Sequence, residues 1–141
     1  MPEPPARVVI IEDNPPDVTL VGESLTAQSI EHVLIHYRDA AEAMKHLGPG
    51  SSGTNLDVII IDLNMPRMSG LDLLAYLKKQ QALSDVPIAV LTSSLSPEER
   101  DEAERIGADR FVRKPIDLYE YLNEVGGMLR DLIQLRRSKQ V

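Results

Sequence analysis

Two short runs in the chain are apolar at every position. Val8-Val9-Ile10-Ile11 and Val58-Ile59-Ile60-Ile61 show no alternation and are rich in β-branched residues. Runs of this kind predict strands buried on both faces, as in the middle of a parallel sheet. Three further segments read as strands: His32 to Tyr37, Val86 to Leu91, and Arg110 to Arg113. Between them the apolar spacing becomes helical. Val18, Leu20, Val21 and Leu25 follow Asn14-Pro15-Pro16, where Asn14 is a candidate cap and a proline suits the first helical position. Asp39 and Glu42 form a capping-box pattern for a short helix through Leu47. Ser69-Gly70 opens a helix with Leu71, Leu73, Leu74 and Leu77. Ser96-Pro97-Glu98-Glu99 is a strong helix start, and Gly107 ends that helix. A last helix runs from about Asp117 towards Arg136.

Strands that alternate with helices predict βαβ units, a parallel sheet and right-handed crossovers that cover both faces. No internal repeat is visible, and 141 residues is the size of one domain. Residues 1–6 are Pro-rich and expected to be disordered. Residues 48–55 read as a flexible surface loop: no Gly-Lys-Ser/Thr follows their glycines, so they are not a phosphate loop.

Composition narrows the function. The net charge of −7 argues against a general nucleic-acid binder, which needs a basic face. The cluster Arg130, Arg136, Arg137 and Lys139 reads as the cationic end of a helix. No cysteine is present, so disulfides and thiolate metal sites are excluded. The N-terminus has no apolar signal region, and no apolar stretch is long enough to span a bilayer. A cytoplasmic protein without membrane contact is expected.

The chemistry lies at the strand ends. Strand one ends in Glu12-Asp13, the strand at 58–62 ends in Asp62, the next ends in Thr92-Ser93, and the last ends in Lys114. In a parallel sheet these ends share one edge, the edge where open α/β sheets bind ligands. Singly, each residue is as well explained by a turn, a cap or a surface charge. Together they describe a site. Carboxylates meeting at one point need a cation, and oxygen ligation suits Mg²⁺ or Mn²⁺, with Glu12, Asp13 and Asp62 as candidate ligands. A carboxylate can also act as a nucleophile and form an aspartyl-phosphate. Lys114 and the metal would neutralise the phosphoryl charge, and Thr92 would donate a hydrogen bond to it.

These residues carry a resemblance. Val9-Ile10-Ile11-Glu12-Asp13-Asn14, Ile61-Asp62-Leu63-Asn64-Met65-Pro66 with Ser69-Gly70, Leu91-Thr92-Ser93 and Phe111-Val112-Arg113-Lys114-Pro115 resemble the receiver domain of two-component response regulators. The stretches around Glu12-Asp13-Asn14-Pro15-Pro16-Asp17-Val18 and Leu63-Asn64-Met65-Pro66 look most like single-domain regulators, including those paired with phytochrome kinases. The resemblance implies a flavodoxin-like doubly wound (βα)5 fold with strand order 2-1-3-4-5. It implies a receiver domain over 7–130, with 131–141 as a helical extension or tail. Asp62 would be phosphorylated by a histidine kinase or phosphotransfer protein. Mg²⁺ would sit on Glu12, Asp13, Asp62 and the backbone carbonyl of Asn64. Lys114 would pair with the phosphoryl group, and Thr92 and Phe111 would form the switch. Asn64 and Ser94 would tune hydrolysis, and the Lys114–Pro115 peptide would be cis. The switched face would comprise the helix from Ser96, the strand at Phe111 and the last helix.

The last helix carries Leu118, Leu122, Val125, Leu129, Leu132 and Ile133 on one stripe, widened by Tyr121, Met128 and Leu135. Ile133 and Leu135 lie beyond the expected domain end, which makes a homodimer through this face one expectation. Gly126-Gly127 either weaken the helix or permit close approach of another element. No output module follows Val141 in this sequence, so the signal is expected to leave by protein contact or onward phosphotransfer.

Two rival readings are weaker. A small Mg-dependent phosphohydrolase with an aspartyl nucleophile would want an acid/base carboxylate two residues after Asp62, where Asn64 stands. A nucleotide-binding α/β module would want Gly-x-Gly-x-x-Gly or Gly-Lys-Ser/Thr.

Overall fold

The apolar runs form the interior of a parallel sheet. A computed structural model describes residues 3–50, 55–65 and 67–139. The strands are β1 (Ala6–Ile11), β2 (His32–Tyr37), β3 (Val58–Ile61), β4 (Ile88–Thr92) and β5 (Arg110–Arg113). They are all parallel and lie in the order β2-β1-β3-β4-β5. The helices are α1 (Pro15–Ala27), α2 (Ala40–Leu47), α3 (Gly70–Lys78), α4 (Pro97–Ile106) and α5 (Leu118–Ser138). A one-turn 3₁₀ helix, Gln81–Leu83, is an element the sequence pattern does not signal.

Strand pleating splits the core into two layers. Val9, Ile11, Ile59, Ile61, Ile88 and Val90 point to the layer shared with α2, α3 and α4. Val8, Ile10, Val58, Ile60, Ala89 and Leu91 point to the layer shared with α1 and α5. Because both faces are covered, β1, β3 and β4 have no polar face to present, and their sequences show none.

Side-chain caps start four of the helices. Asp39, Ser69, Ser96 and Asp117 each accept from the backbone N–H three residues on. Asn14 departs from expectation: its side chain does not cap α1 but donates to Asp17 Oδ2 at 3.1 Å. Gly107 closes α4 at φ 120°, a left-handed conformation that glycine adopts without a Cβ clash.

The C-terminal end of α5 corrects one expectation. The helix runs unbroken through position 130, and Leu132, Ile133 and Arg136 are buried. Ile133 is thus part of this chain's own core, because β1 and β3 offer an apolar surface as far as the helix runs, and of the apolar stripe past position 130 Leu135 remains half-exposed. Arg136 Nε donates to Leu56 O at 3.1 Å. Arg137 reaches Asp57 Oδ1 at 3.2 Å, Glu3 Oε2 at 2.8 Å and the Pro4 carbonyl at 2.7 Å. Glu3 and Pro4, expected to be disordered, are therefore tied to α5; residues 1 and 2 lie outside the described residues, as do positions 51–54 of the expected loop and Pro66.

The two adjacent glycines of α5 differ. A Cβ on Gly126 would stand 2.7 Å from the Ser24 carbonyl of α1, whereas one on Gly127 would meet nothing closer than 4.0 Å. Gly126 allows the close α1–α5 approach, and Gly127 only weakens the helix.

Candidate functional site

The site is built by backbone ladders that continue just past the strands. Glu12 N–H donates to Tyr37 O at 3.1 Å, Asp62 N–H to Ile11 O at 3.1 Å, and Lys114 N–H to Thr92 O at 2.7 Å. Each functional residue is therefore fixed at its backbone before its side chain does anything. On the edge side, His36 Nε2–H donates to the Glu12 carbonyl at 2.6 Å. Behind Asp62, Gly70 seats the start of α3 so closely that a Cβ there would lie 2.7 Å from the Asp62 carbonyl and 2.6 Å from Leu63 Cα.

This framework brings Glu12, Asp13 and Asp62 together, with carboxylate oxygens within 4.8 Å of one another. Glu12 and Asp62 are buried and Asp13 is exposed. Lys114 points into the same space. Its Nζ lies 2.8 Å from Glu12 Oε1, 2.9 Å from Asp17 Oδ2 and 3.4 Å from Asp62 Oδ2. The Lys114–Pro115 peptide is trans, because no peptide bond among the described residues is cis; the cis bond implied by resemblance is not there, and trans is the lower-energy isomer.

Four carboxylates around one ammonium leave the site short of positive charge. Burial pushes the Glu12 carboxyl up to about 8, helped by its hydrogen bond with Asp62 and opposed by Lys114. Burial pulls Lys114 down, but hydrogen bonds to Glu12 and Asp17 and the Asp62 charge more than offset this and hold it above the ordinary lysine range. The donor set is all carboxylate oxygen, one member faces water, and the charge is unbalanced. These features fit a hard divalent cation.

Asp62 Oδ1 accepts the Asn64 N–H at 3.0 Å. The Asn64 side chain donates to Thr92 Oγ1 at 3.2 Å, and the Ser94 N–H donates to the same oxygen at 3.2 Å. Ser94 Oγ bonds Glu99 Oε1 and accepts the Ser96 N–H at 3.1 Å. A continuous chain thus runs from Asp62 through Asn64, Thr92 and Ser94 to Glu99 in the first turn of α4. Phe111 is half-buried against the core layer of α2–α4, with the Arg100 guanidinium 5.6 Å from its ring centre. Asp17, His36 and Glu99 were not signalled as site residues. Asp17 lies in the first turn of α1, where an acidic residue is already explained by the helix dipole.

A doubly wound parallel sheet with an acidic, metal-competent pocket and one lysine at its carboxyl edge is the design of a signalling receiver. Residues 8–125 match the model of the response regulator receiver domain, and the chain belongs to that family. Response regulator Rcp1 of Synechocystis is 30% identical over 128 residues, covering 89% of this chain and 87% of the relative. The solved Mn²⁺-bound form of Rcp1 is similar at 29% identity and a TM-score of 0.77, over 88% of this chain and 91% of that one. The phosphorylated cyanobacterial phytochrome response regulator RcpA is similar at 26% identity and a TM-score of 0.78, over 89% of this chain and 91% of that one. Among the described residues no helix is long and apolar enough to cross a membrane.

Proposed function

We propose that Asp62 accepts a phosphoryl group from a histidine-bearing partner, and that this chain signals through the resulting change in shape. The observation that carries the reading is the convergence of Asp62, Glu12, Asp13 and Lys114 on one fixed strand edge. An Asp62 carboxylate oxygen attacks phosphorus; the new O–P bond forms as the P–N bond to the donor imidazole breaks, and the imidazole leaves with its electron pair and takes a proton. Asp62 goes from one negative charge to about two. Lys114 balances part of that charge with an N–H to a phosphoryl oxygen, and the Thr92 hydroxyl supplies another donor. Glu12, Asp13, Asp62 and the Asn64 carbonyl would hold Mg²⁺, which shields the incoming phosphoryl oxygens when bound. The Mn²⁺-bound Rcp1 and phosphorylated RcpA support this reading by similarity.

In moving towards a phosphoryl oxygen to donate its hydroxyl proton, Thr92 would leave its present arrangement, in which its oxygen accepts from Asn64 and Ser94. That reorganisation passes through Ser94 and Glu99 to α4, and frees space for Phe111 to turn inward. The face made by α4, β5 and α5 is the surface that changes, and a homodimer through it is part of the proposal. Ile116 and Tyr119 are 95% and 75% exposed beside Lys114, an apolar rim suited to the histidine-bearing partner. Asn64 in place of an acid/base carboxylate, with its amide engaged by Thr92, disfavours phosphohydrolase turnover and fits a chain that catalyses only its own phosphorylation and dephosphorylation. Asn64 and Ser94, both linked to Thr92, would set the phosphate lifetime. We place this activity in the cytoplasm, with residues 7–130 as the receiver and 131–141 as its extension.

The test is incubation with Mg²⁺ and acetyl phosphate, followed by intact-mass measurement. One acid-labile phosphate, absent in Asp62→Ala, is expected. Labelling retained in Asp62→Ala, or sustained turnover of unrelated phosphate esters, overturns the reading.

A further inference from the structure

Lys114 gives its best hydrogen bonds to Glu12 and Asp17, and its longest to Asp62. An ammonium has three N–H donors and accepts nothing, so every carboxylate it serves occupies a donor. At 2.8 and 2.9 Å the first two contacts have the length of full charge-assisted bonds. At 3.4 Å the contact with Asp62 does not.

Asp17 is held for this role from two sides. Its Oδ2 also accepts from Asn14 Nδ2 at 3.1 Å, and its N–H donates to the Asn14 carbonyl at 3.0 Å. Pro15 and Pro16 fix the backbone just before it. The side chain is 21% exposed, against 3% for Glu12 and 7% for Asp62. Water can therefore replace the ammonium at Asp17 more cheaply than at either buried carboxylate. Asp17 also lies outside the three-carboxylate group that could hold a cation.

We propose that Asp17 is a positioning residue for Lys114: it anchors the ammonium in the resting site and competes with a phosphoryl group on Asp62 for it. The proposal rests on the reading of Asp62 as phosphoacceptor. While it holds Glu12 and Asp17, Lys114 stays 3.4 Å from Asp62, so it must shift to give a phosphoryl group there a full bond, and Asp17, the partner nearest water, is the one released. Asp17 thereby raises the cost of the phosphorylated state and links the occupancy of the site to the start of α1.

The experiment measures labelling by acetyl phosphate at saturating Mg²⁺, and loss of label after donor removal, by intact mass. Wild type, Asp17→Asn and Asp17→Glu are compared, each also combined with Lys114→Ala. Asparagine keeps the shape and the acceptor for Asn14 while removing the charge. Asp17→Asn is expected to raise the ratio of labelling to loss on the order of ten-fold. Asp17→Glu should return it towards wild type, and in the Lys114→Ala background Asp17→Asn should change nothing. A ratio in Asp17→Asn equal to or below wild type overturns the proposal, as does an equal change without Lys114, which marks a role not exerted through the lysine. Failure of the wild type to label, or labelling that survives Asp62→Ala, refutes the phosphoacceptor reading itself and is distinguishable from both.

Discussion

Replacing Glu12 by glutamine should make the metal-free protein more stable at neutral and alkaline pH while weakening its response to Mg²⁺. Glu12 is buried, bonded to Asp62, and pushed from 4.5 up to about 8. A carboxyl whose pKa is raised by folding favours the fold when protonated. That stability is fully present below about 4.5 and is lost as pH rises towards 8. Each pKa unit corresponds to about 1.4 kcal/mol, so by about pH 7.5, where the unfolded chain ionises Glu12 and the fold still holds it mostly protonated, at most about 4 kcal/mol of stability is lost relative to acid pH. Glutamine removes the charge and keeps an oxygen to accept from Lys114. Even a quarter of that ceiling raises the melting temperature by about 2–4 °C. The assay is thermal unfolding of wild type and Glu12→Gln across pH values from about 5 to 8.5, in chelator and in millimolar Mg²⁺. In chelator the two curves should converge at acid pH and diverge as pH rises, with the variant higher. In Mg²⁺ the wild type should recover and the variant gain less. A variant that melts below wild type at the alkaline end, or a gap that does not change with pH, refutes the reasoning.

The adjacent glycines of α5 should respond in opposite directions. Gly126→Ala forces a methyl against the Ser24 carbonyl and should lower stability by about 1–3 kcal/mol, read as a fall in melting temperature. Gly127→Ala enters open space and should raise stability by up to about 1 kcal/mol in the same measurement. Tyr121 is buried and its hydroxyl has no hydrogen-bond partner among the described residues, so Tyr121→Phe should be neutral or stabilising by about 1 kcal/mol in chemical unfolding. A marked loss there would reveal a partner for that hydroxyl.

Most of the fold was readable because β1, β3 and β4 are covered on both faces, and their unbroken apolar runs say so. The helix starts at Asp39, Ser69, Ser96 and Asp117 were readable, and the caps at Asp39 and Ser96 with them, because a side-chain oxygen three residues before an N–H is a local arrangement. Glu12, Asp13, Asp62 and Lys114 were readable as a set because strand ends share an edge in a parallel sheet. Asp17 was not, since nothing local distinguishes a helix-start carboxylate that faces solvent from one that bends back to a lysine 97 positions away. The burial of Ile133 was also hidden: the apolar stripe of α5 continues past 130, but only the reach of β1 and β3 beneath it decides whether those residues meet this chain or another. Asn14 misled because its side chain had two eligible acceptor and donor roles, and Asp17 won the competition.

Arg137 joins three distant stretches: the arm at Glu3 and Pro4, Asp57 just before β3, and the last turn of α5. Asp57 and Asp62 bracket β3, so this fastening and the acidic pocket lie at opposite ends of the same strand, on the order of 16 Å apart at about 3.3 Å per residue. Both described chain ends are gathered on the side facing away from the chemistry. A label, a surface or a neighbouring protein attached at either end would therefore leave the mouth around Asp62 open to its donor.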